Sequence, residues 1–144
     1  MDETHSKTEH VGTIYLLLGL AQAAHSIEEM RTHLYDFFWV VTGLINQRVL
    51  SFPQFRMESD TFAVINMSLI ALLLATVPAV RAGRPWALWL AGLAGVIETL
   101  NGIGHLSGAV YFGGYVPGAV SAPLLLLLGV ALLRELAQAG ALRI

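Results

Sequence analysis

The sequence predicts an all-α fold, an integral membrane bundle of four transmembrane helices with an interfacial or re-entrant helix after the first. Three observations predict it. Hydrophobic residues make up 56% of the 144 residues and charged residues only 12%, about half the ~25% of a soluble domain. The mean hydropathy is +0.66. Four apolar segments also approach the ~20 residues that a helix needs to cross a ~30 Å hydrocarbon core.

The first predicted span runs from Val11 to about Met30, after a polar N-terminal tail over residues 1–10. A secretory signal would end its short apolar run at a small-residue cleavage site. Here the apolar run Val11–Ala24 continues directly into the polar residues from His25 to Glu29. We therefore interpret the segment as one helix that crosses the membrane.

Three later segments repeat this pattern. Thr61–Val80 contains no charged residue, and a segment from Trp86 to about Leu106 opens on a tryptophan that suits the membrane interface. The Gly- and Tyr-rich stretch Ser107–Gly118 is predicted to be a loop. Ala119–Leu133 is almost wholly apolar and forms the last predicted span.

The segment His33–Phe55 is apolar but is interrupted by Asn46, Gln47 and Arg48. Its apolar part, about 16 residues, is short for a span, so we expect an interfacial or re-entrant helix. A fifth crossing is the alternative. The transmembrane domain as a whole is predicted over residues 11–137, with a C-terminal tail over residues 138–144.

Four spans place both termini on the same side of the membrane. That side carries five basic residues against three on the other: Lys7, Arg81, Arg84, Arg134 and Arg143 against Arg31, Arg48 and Arg56. The positive-inside rule therefore favours cytoplasmic termini, and we expect residence in the bacterial inner membrane. A fifth crossing would reverse this orientation.

Composition excludes several classes of function. Eight basic residues against ten acidic ones give a net charge of −2, and without a basic tract a nucleic-acid partner is not expected. The chain has no cysteine, which excludes disulfides, thiolate metal sites, iron–sulfur clusters and cysteine nucleophiles. Neither G-x-S-x-G nor H-E-x-x-H occurs.

Polar residues recur in the first and third predicted spans at the spacing i, i+3 and i+7, which is one face of a helix. They are Gln22, His25 and Glu29 in the first span, and Glu98, Asn101 and His105 in the third. Ionisable residues within a membrane are costly and usually face the bundle interior. Because these two spans run parallel and the stripes lie at similar depths, we expect the two faces to meet.

Such a meeting would assemble imidazole and carboxylate ligands for a divalent metal. The predicted ligands are His25, Glu28, Glu29, Glu98 and His105. Helical bundles build carboxylate-bridged di-metal sites from facing helices in this way. One or two ions of Zn, Fe or Mn are compatible with the ligand types. Two alternatives are solvation of Glu28 and Glu29 at the headgroup level, and a metal-free carboxylate–histidine pair.

Three short motifs occur in order along the chain. H-x-x-E-E starts at His25, E-x-x-N-x-x-x-H starts at Glu98, and Y-x-P-G starts at Tyr115. With them, the segment from Val11 to about Leu133 resembles the HXXEE-domain family of integral membrane proteins. The resemblance implies a site that includes His25, Glu28, Glu29, His105 and Tyr115. It implies nothing about the substrate.

The expected function is a membrane-embedded metalloprotein, an enzyme acting on a lipid-like or other apolar small molecule. Gln22 and Asn101 would orient ligands or substrate, Tyr115 would cap the site, and Glu28 would act as general base. Hydrolysis, isomerisation and oxygen-dependent oxidation all stay open. The alternatives are a metal-free Glu/His acid–base isomerase, and a small transporter or subunit of a membrane complex. The long apolar faces also permit a homodimer.

Overall fold

The computed structural model describes residues 3–49 and 51–140 and contains five α-helices. These are α1 (Glu3–Arg31), α2 (Leu34–Asn46), α3 (Ser59–Arg81), α4 (Pro85–Phe112) and α5 (Ala122–Gln138). The described residues contain no strand, so the predicted all-α class is confirmed. The outer ends of the two predicted tails, residues 1–2 and 141–144, lie outside the described residues.

Two helices are longer than predicted. α1 begins at Glu3, so the predicted N-terminal tail is helical over its described part. α4 continues past Leu106 to Phe112 and ends where Gly113 adopts a left-handed backbone conformation (φ 68°). Glycine at this position is the usual end of a helix, and no proline lies between Trp86 and Phe112 to end the helix earlier. The loop before α5 is therefore shorter than predicted and covers residues 113–121.

Two helices, α3 with 23 residues and α4 with 28 residues, are long and apolar enough to cross a membrane. α2 has 13 residues, which corresponds to about 20 Å and is too short to cross. α5 has 17 residues, or about 26 Å. α1 is longer, but charged residues occupy both of its ends.

α1 is the central helix of the bundle and packs against both α3 and α5, while α4 packs along α5. The interface between α4 and α5 depends on a close approach at Gly102. A Cβ atom at this residue would lie 2.9 Å from the carbonyl oxygen of Ala122. Tyr15, Leu18 and Leu125 are fully buried between the helices. This packing brings the C-terminal parts of α1 and α4 to the same end of the bundle.

Candidate metal centre

His25 and Glu29 of α1 meet His105 of α4 in a buried cluster, which we call the His–Glu cluster. His25 Nε2 lies 3.1 Å from Glu29 Oε1, and His105 Nε2 lies 3.2 Å from the same oxygen. The two imidazole rings are nearly perpendicular, with centroids 4.8 Å apart. The two polar helix faces therefore meet, and they do so through three of the five predicted ligands.

The geometry of the His–Glu cluster fits a divalent cation. One ligand atom from each residue lies within 4.8 Å of the others. Metal–ligand bonds of 2.0–2.2 Å in a tetrahedral site place neighbouring ligand atoms about 3.3 Å apart. The two separations from Glu29 Oε1 are close to this value, and the separation between the two histidines is no more than 4.8 Å. Two histidines and one carboxylate form a ligand set used by catalytic zinc and by non-haem iron.

The burial of Glu29 and His25 also favours a positive charge in the His–Glu cluster. His25 is fully buried and Glu29 nearly so. His25 Nε2 makes no hydrogen bond of acceptable geometry within the described residues, although Glu29 Oε1 is nearby. A buried carboxylate without a compensating charge is expensive. A bound cation, or a proton on one imidazole, would offset that cost.

Glu28 lies outside the His–Glu cluster, contrary to the prediction that it is a ligand and general base. Its Oε1 accepts hydrogen bonds from the Tyr115 hydroxyl (2.8 Å) and the Val120 N–H (3.0 Å). Its Oε2 accepts bonds from the N–H (2.8 Å) and the hydroxyl (2.5 Å) of Ser121. Because a helix turns about 100° per residue, Glu28 points about 100° away from Glu29. It therefore anchors the 113–121 loop.

Tyr115 belongs to the same anchor, since its hydroxyl contacts Glu28 and not the three residues of the His–Glu cluster. Its phenol is largely exposed, and its hydroxyl donates to Glu28. Partial burial and then the nearby charge of Glu28 raise the pKa of Tyr115 above its usual value. The phenol therefore stays protonated around neutral pH and remains a hydrogen-bond donor.

A cavity of about 970 Å³ adjoins the His–Glu cluster. Its wall includes Glu29 and His105 together with Glu98 and Asn101. Glu98 is only 1% exposed, and Asn101 Nδ2 donates to it over 3.4 Å. Glu98 is not one of the three grouped ligands, so the structure puts this carboxylate beside the cluster, where it could act on a molecule in the cavity.

Most of the remaining cavity wall is apolar and aromatic. It includes Phe37, Phe38, Phe62, Tyr111 and Phe112. α2, which the sequence predicts to be interfacial or re-entrant, contributes much of this surface. The cavity wall therefore combines a large apolar surface with a few polar groups, some beside the His–Glu cluster and others, Gln47 and Arg48, just after α2. This combination is typical of small-molecule sites.

Gln22 is held at the cavity wall by a chain of hydrogen bonds from α1 to α3. Gln22 Nε2 donates to Ser26 Oγ over 3.2 Å, and Ser26 donates to Asn66 Oδ1 over 2.7 Å. Asn66 Nδ2 in turn donates to the Phe62 carbonyl. The prediction that Gln22 orients other groups is compatible with this rigid placement, but the sequence did not point to Ser26 as the link.

These helices and their buried polar cluster define an α-helical protein with a candidate metal centre between apolar segments. The chain belongs to the HXXEE family, described as "Protein of unknown function with HXXEE motif", which matches residues 16–132. The predicted resemblance is therefore confirmed. No curated protein and no solved structure matches the chain significantly. In this structure His25 and Glu29 of the motif join the cluster, and Glu28 holds the loop that covers it.

Replacing Glu28 with glutamine is expected to destabilise the fold by about 1.5 kcal/mol or more, the value of a hydrogen bond to a charged group. Either amide orientation turns an N–H donor toward the N–H of Val120 or Ser121, since both backbone donors face this side chain. Thermal unfolding in detergent measures the change. Asp60→Asn, at an exposed position, is the control. Equal unfolding temperatures for Glu28→Gln and the wild type would contradict the anchoring role.

Proposed function

We propose that the protein is a membrane-embedded metalloenzyme that acts on an apolar small molecule, with one divalent ion bound by His25, Glu29 and His105. The observation that carries the proposal is the convergence of three buried ligand atoms within 4.8 Å beside a largely apolar cavity. Three protein ligands leave coordination positions open for water or substrate, as in catalytic metal sites.

The ligand types favour zinc or iron, and manganese is also compatible. The ion would supply Lewis acidity and an activated water near neutral pH. Glu98 adds a second functional group, because its buried carboxylate lines the same cavity and has one long hydrogen bond. We assign Glu98 the role of general acid–base, in place of Glu28. A Lewis acid beside a carboxylate suits hydrolysis or proton transfer.

The cavity supports a lipid-like substrate. A volume of about 970 Å³ is at the upper end of the ~300–1,000 Å³ typical of small-molecule sites. Aromatic and aliphatic side chains, mainly of α2, α3 and α4, form most of its wall, and Glu98 and Asn101 add polar groups beside the His–Glu cluster. An apolar chain would occupy the aromatic part while a polar end reaches the metal.

The proposed membrane arrangement has α1, α3, α4 and α5 crossing the bilayer and α2 lying in the interface. Large apolar side chains on the outer surface of the bundle support it, since a soluble protein rarely exposes such patches. Three of them, between 64% and 69% exposed, are Val64, Met67 and Leu127. Both termini then lie on one side, and the five-to-three distribution of basic residues favours the cytoplasmic side of a bacterial inner membrane for them.

The absence of native cysteine makes this topology directly testable. Single variants Ser51→Cys and Ala139→Cys are treated in spheroplasts with a membrane-impermeant maleimide. We expect Ser51→Cys to react from outside and Ala139→Cys to react only after permeabilisation. Labelling of both positions from the same side would exclude the four-span arrangement.

A metal-free acid–base enzyme is the second candidate, because separations of 3.1 and 3.2 Å also suit hydrogen bonds from a protonated imidazole. Elemental analysis of the purified protein separates the two candidates. One ion per chain, with an activity on apolar substrates that is lost on chelation and restored by the metal, supports the metalloenzyme. A metal-free preparation that keeps its activity would support the second candidate instead.

Filling the cavity at Gly104 is expected to weaken the binding of an apolar ligand while leaving the metal in place. Gly104 lines the cavity, and a Cβ atom there would meet no atom within 4 Å. Gly104→Phe should therefore reduce the affinity for a fluorescent long-chain fatty acid by about tenfold or more, which corresponds to ~1.4 kcal/mol.

Gly114→Phe is the matched control for Gly104→Phe. Gly114 also has open space around it but does not line the cavity. Metal content, measured in parallel, should stay at the wild-type value in both variants. If the two variants bind the fatty acid equally well, the cavity is not the binding site.

A further inference from the structure

We propose that Ser121 is a positioning residue that selects the tautomer of His25, with Glu28 determining the direction of its hydroxyl. The inference deepens the proposed metal centre and rests on it for its consequence. It assigns a role to a residue that none of the three sequence motifs contains. The atoms involved form a continuous path from Glu28 through Ser121 to the His–Glu cluster.

The path begins at the Glu28 carboxylate, which accepts hydrogen bonds from several groups of the 113–121 loop. Glu28 receives the backbone N–H groups of Val120 and Ser121, and also the hydroxyl of Tyr115. Backbone N–H groups can only donate. Each carboxylate oxygen of Glu28 therefore accepts one backbone N–H, and these contacts make Glu28 the acceptor.

Ser121 transmits this direction to His25. Its Oγ lies 2.5 Å from Glu28 Oε2 and 2.7 Å from His25 Nδ1. A hydroxyl has one proton to donate, and Glu28 Oε2, which also accepts the backbone N–H of Ser121, takes it. The oxygen can then only accept from the imidazole, so His25 must hold its proton on Nδ1.

A proton on Nδ1 of His25 determines the state of the other ring nitrogen, Nε2. In neutral His25 with a proton on Nδ1, the lone pair is on Nε2, the atom 3.1 Å from Glu29 Oε1. Two acceptor atoms then face each other in a buried position, and a positive charge between them, a metal ion or an added proton, satisfies both. This agrees with the lack of a hydrogen-bond partner at His25 Nε2 within the described residues.

Metal-binding histidines usually donate their second N–H to an oxygen atom that fixes the ring and its tautomer. Ser121 provides that oxygen here, and Glu28 fixes the serine. The first glutamate of the H-x-x-E-E motif thereby acts on the motif's own histidine through a residue 93 positions later in the chain. The motif is then one functional unit, with two of its residues in the cluster and one behind it.

Nitrogen-15 NMR of histidine-labelled, metal-free protein in detergent tests the tautomer directly. Spectra are recorded at about pH 8, where an unperturbed imidazole is neutral, and His25→Asn assigns the signal. We expect wild-type His25 to carry its proton on Nδ1. In Ser121→Ala we expect the proton to move to Nε2, from which it can be donated to Glu29. Ser121→Thr, which keeps the hydroxyl, should retain the wild-type tautomer.

An Nε2–H tautomer in the wild-type protein would overturn the inference without the use of any Ser121 variant. An unchanged tautomer in folded Ser121→Ala would also overturn it. Zinc affinity, measured by competition with a chelating dye, should fall about 10–100-fold in Ser121→Ala and recover in Ser121→Thr.

Failure of this inference is distinguishable from failure of the proposed function. If the tautomer changes as expected and the wild-type protein binds no metal, the metal centre is wrong and the role of Ser121 in positioning stands. If the wild-type protein binds one zinc ion and Ser121→Ala keeps both the tautomer and the affinity, the metal centre stands and Ser121 has no positioning role.

Discussion

Alanine at His25 or at His105 is expected to reduce the bound metal from one ion per chain to none under dialysis. Each substitution removes one of three ligand atoms that lie within 4.8 Å of one another. Loss of a residue that only orients a metal ligand already lowers the metal affinity about 10–100-fold. Loss of a ligand itself should therefore lower the affinity at least about 100-fold. Elemental analysis of the purified variants gives the number of ions bound per chain, and zinc titration gives the affinity.

Two further variants make this test specific. His10→Ala removes an exposed histidine near Glu135, away from the cluster, and should keep one ion per chain. Glu98→Gln should also retain the metal but lose activity, since Glu98 lies in the cavity wall and is not among the grouped ligands. Full metal content in His25→Ala and His105→Ala would disprove the proposed metal centre. Loss of the metal in Glu98→Gln would show that Glu98 is a ligand after all.

Gly118→Ala is expected to destabilise the protein and to disrupt the His–Glu cluster at the same time. Gly118 has φ 86°, a backbone conformation that costs other residues about 1–2 kcal/mol. A Cβ atom there would lie 2.6 Å from His105 Cε1 and 2.9 Å from His25 Cε1. Overpacking of a buried site costs a further ~1–3 kcal/mol.

Thermal unfolding and zinc titration measure the two consequences of Gly118→Ala separately. Because the loop covers the rings directly, we expect a lower unfolding temperature and a weaker affinity for zinc. Gly114→Ala is the control, since Gly114 lies in the same loop with no neighbouring atom within 4 Å of a Cβ. Wild-type stability and affinity in Gly118→Ala would show that the loop does not press on the cluster.

The contact between the two polar helix faces could be predicted because helical periodicity determines it. His25 and Glu29 are four residues apart on one face, and His105 ends a stripe of matching spacing on a parallel helix. Burying ionisable groups among apolar helices leaves them few partners other than each other. The structure brings these three side chains together at hydrogen-bond or metal-ligand distances.

The role of Glu28 could not be predicted in the same way. Its four hydrogen bonds come from Tyr115, Val120 and Ser121, which are 87 to 93 residues away in sequence. No local pattern indicates that this loop folds back over the end of α1. The sequence alone therefore grouped five side chains as ligands, and the structure separates Glu28 and Glu98 from the other three.

By itself the sequence determined the all-α class, the family and the pair of helix faces that carry the histidines and glutamates. These features follow from local periodicity and composition, which act along one helix at a time. The end of α4, the carboxylate that joins the histidines, and the contacts of Ser121 and Gly118 with the rings could be learned only from the folded chain. Those outcomes depend on how a distant loop packs on two helices, and helical periodicity carries no information about contacts of that kind.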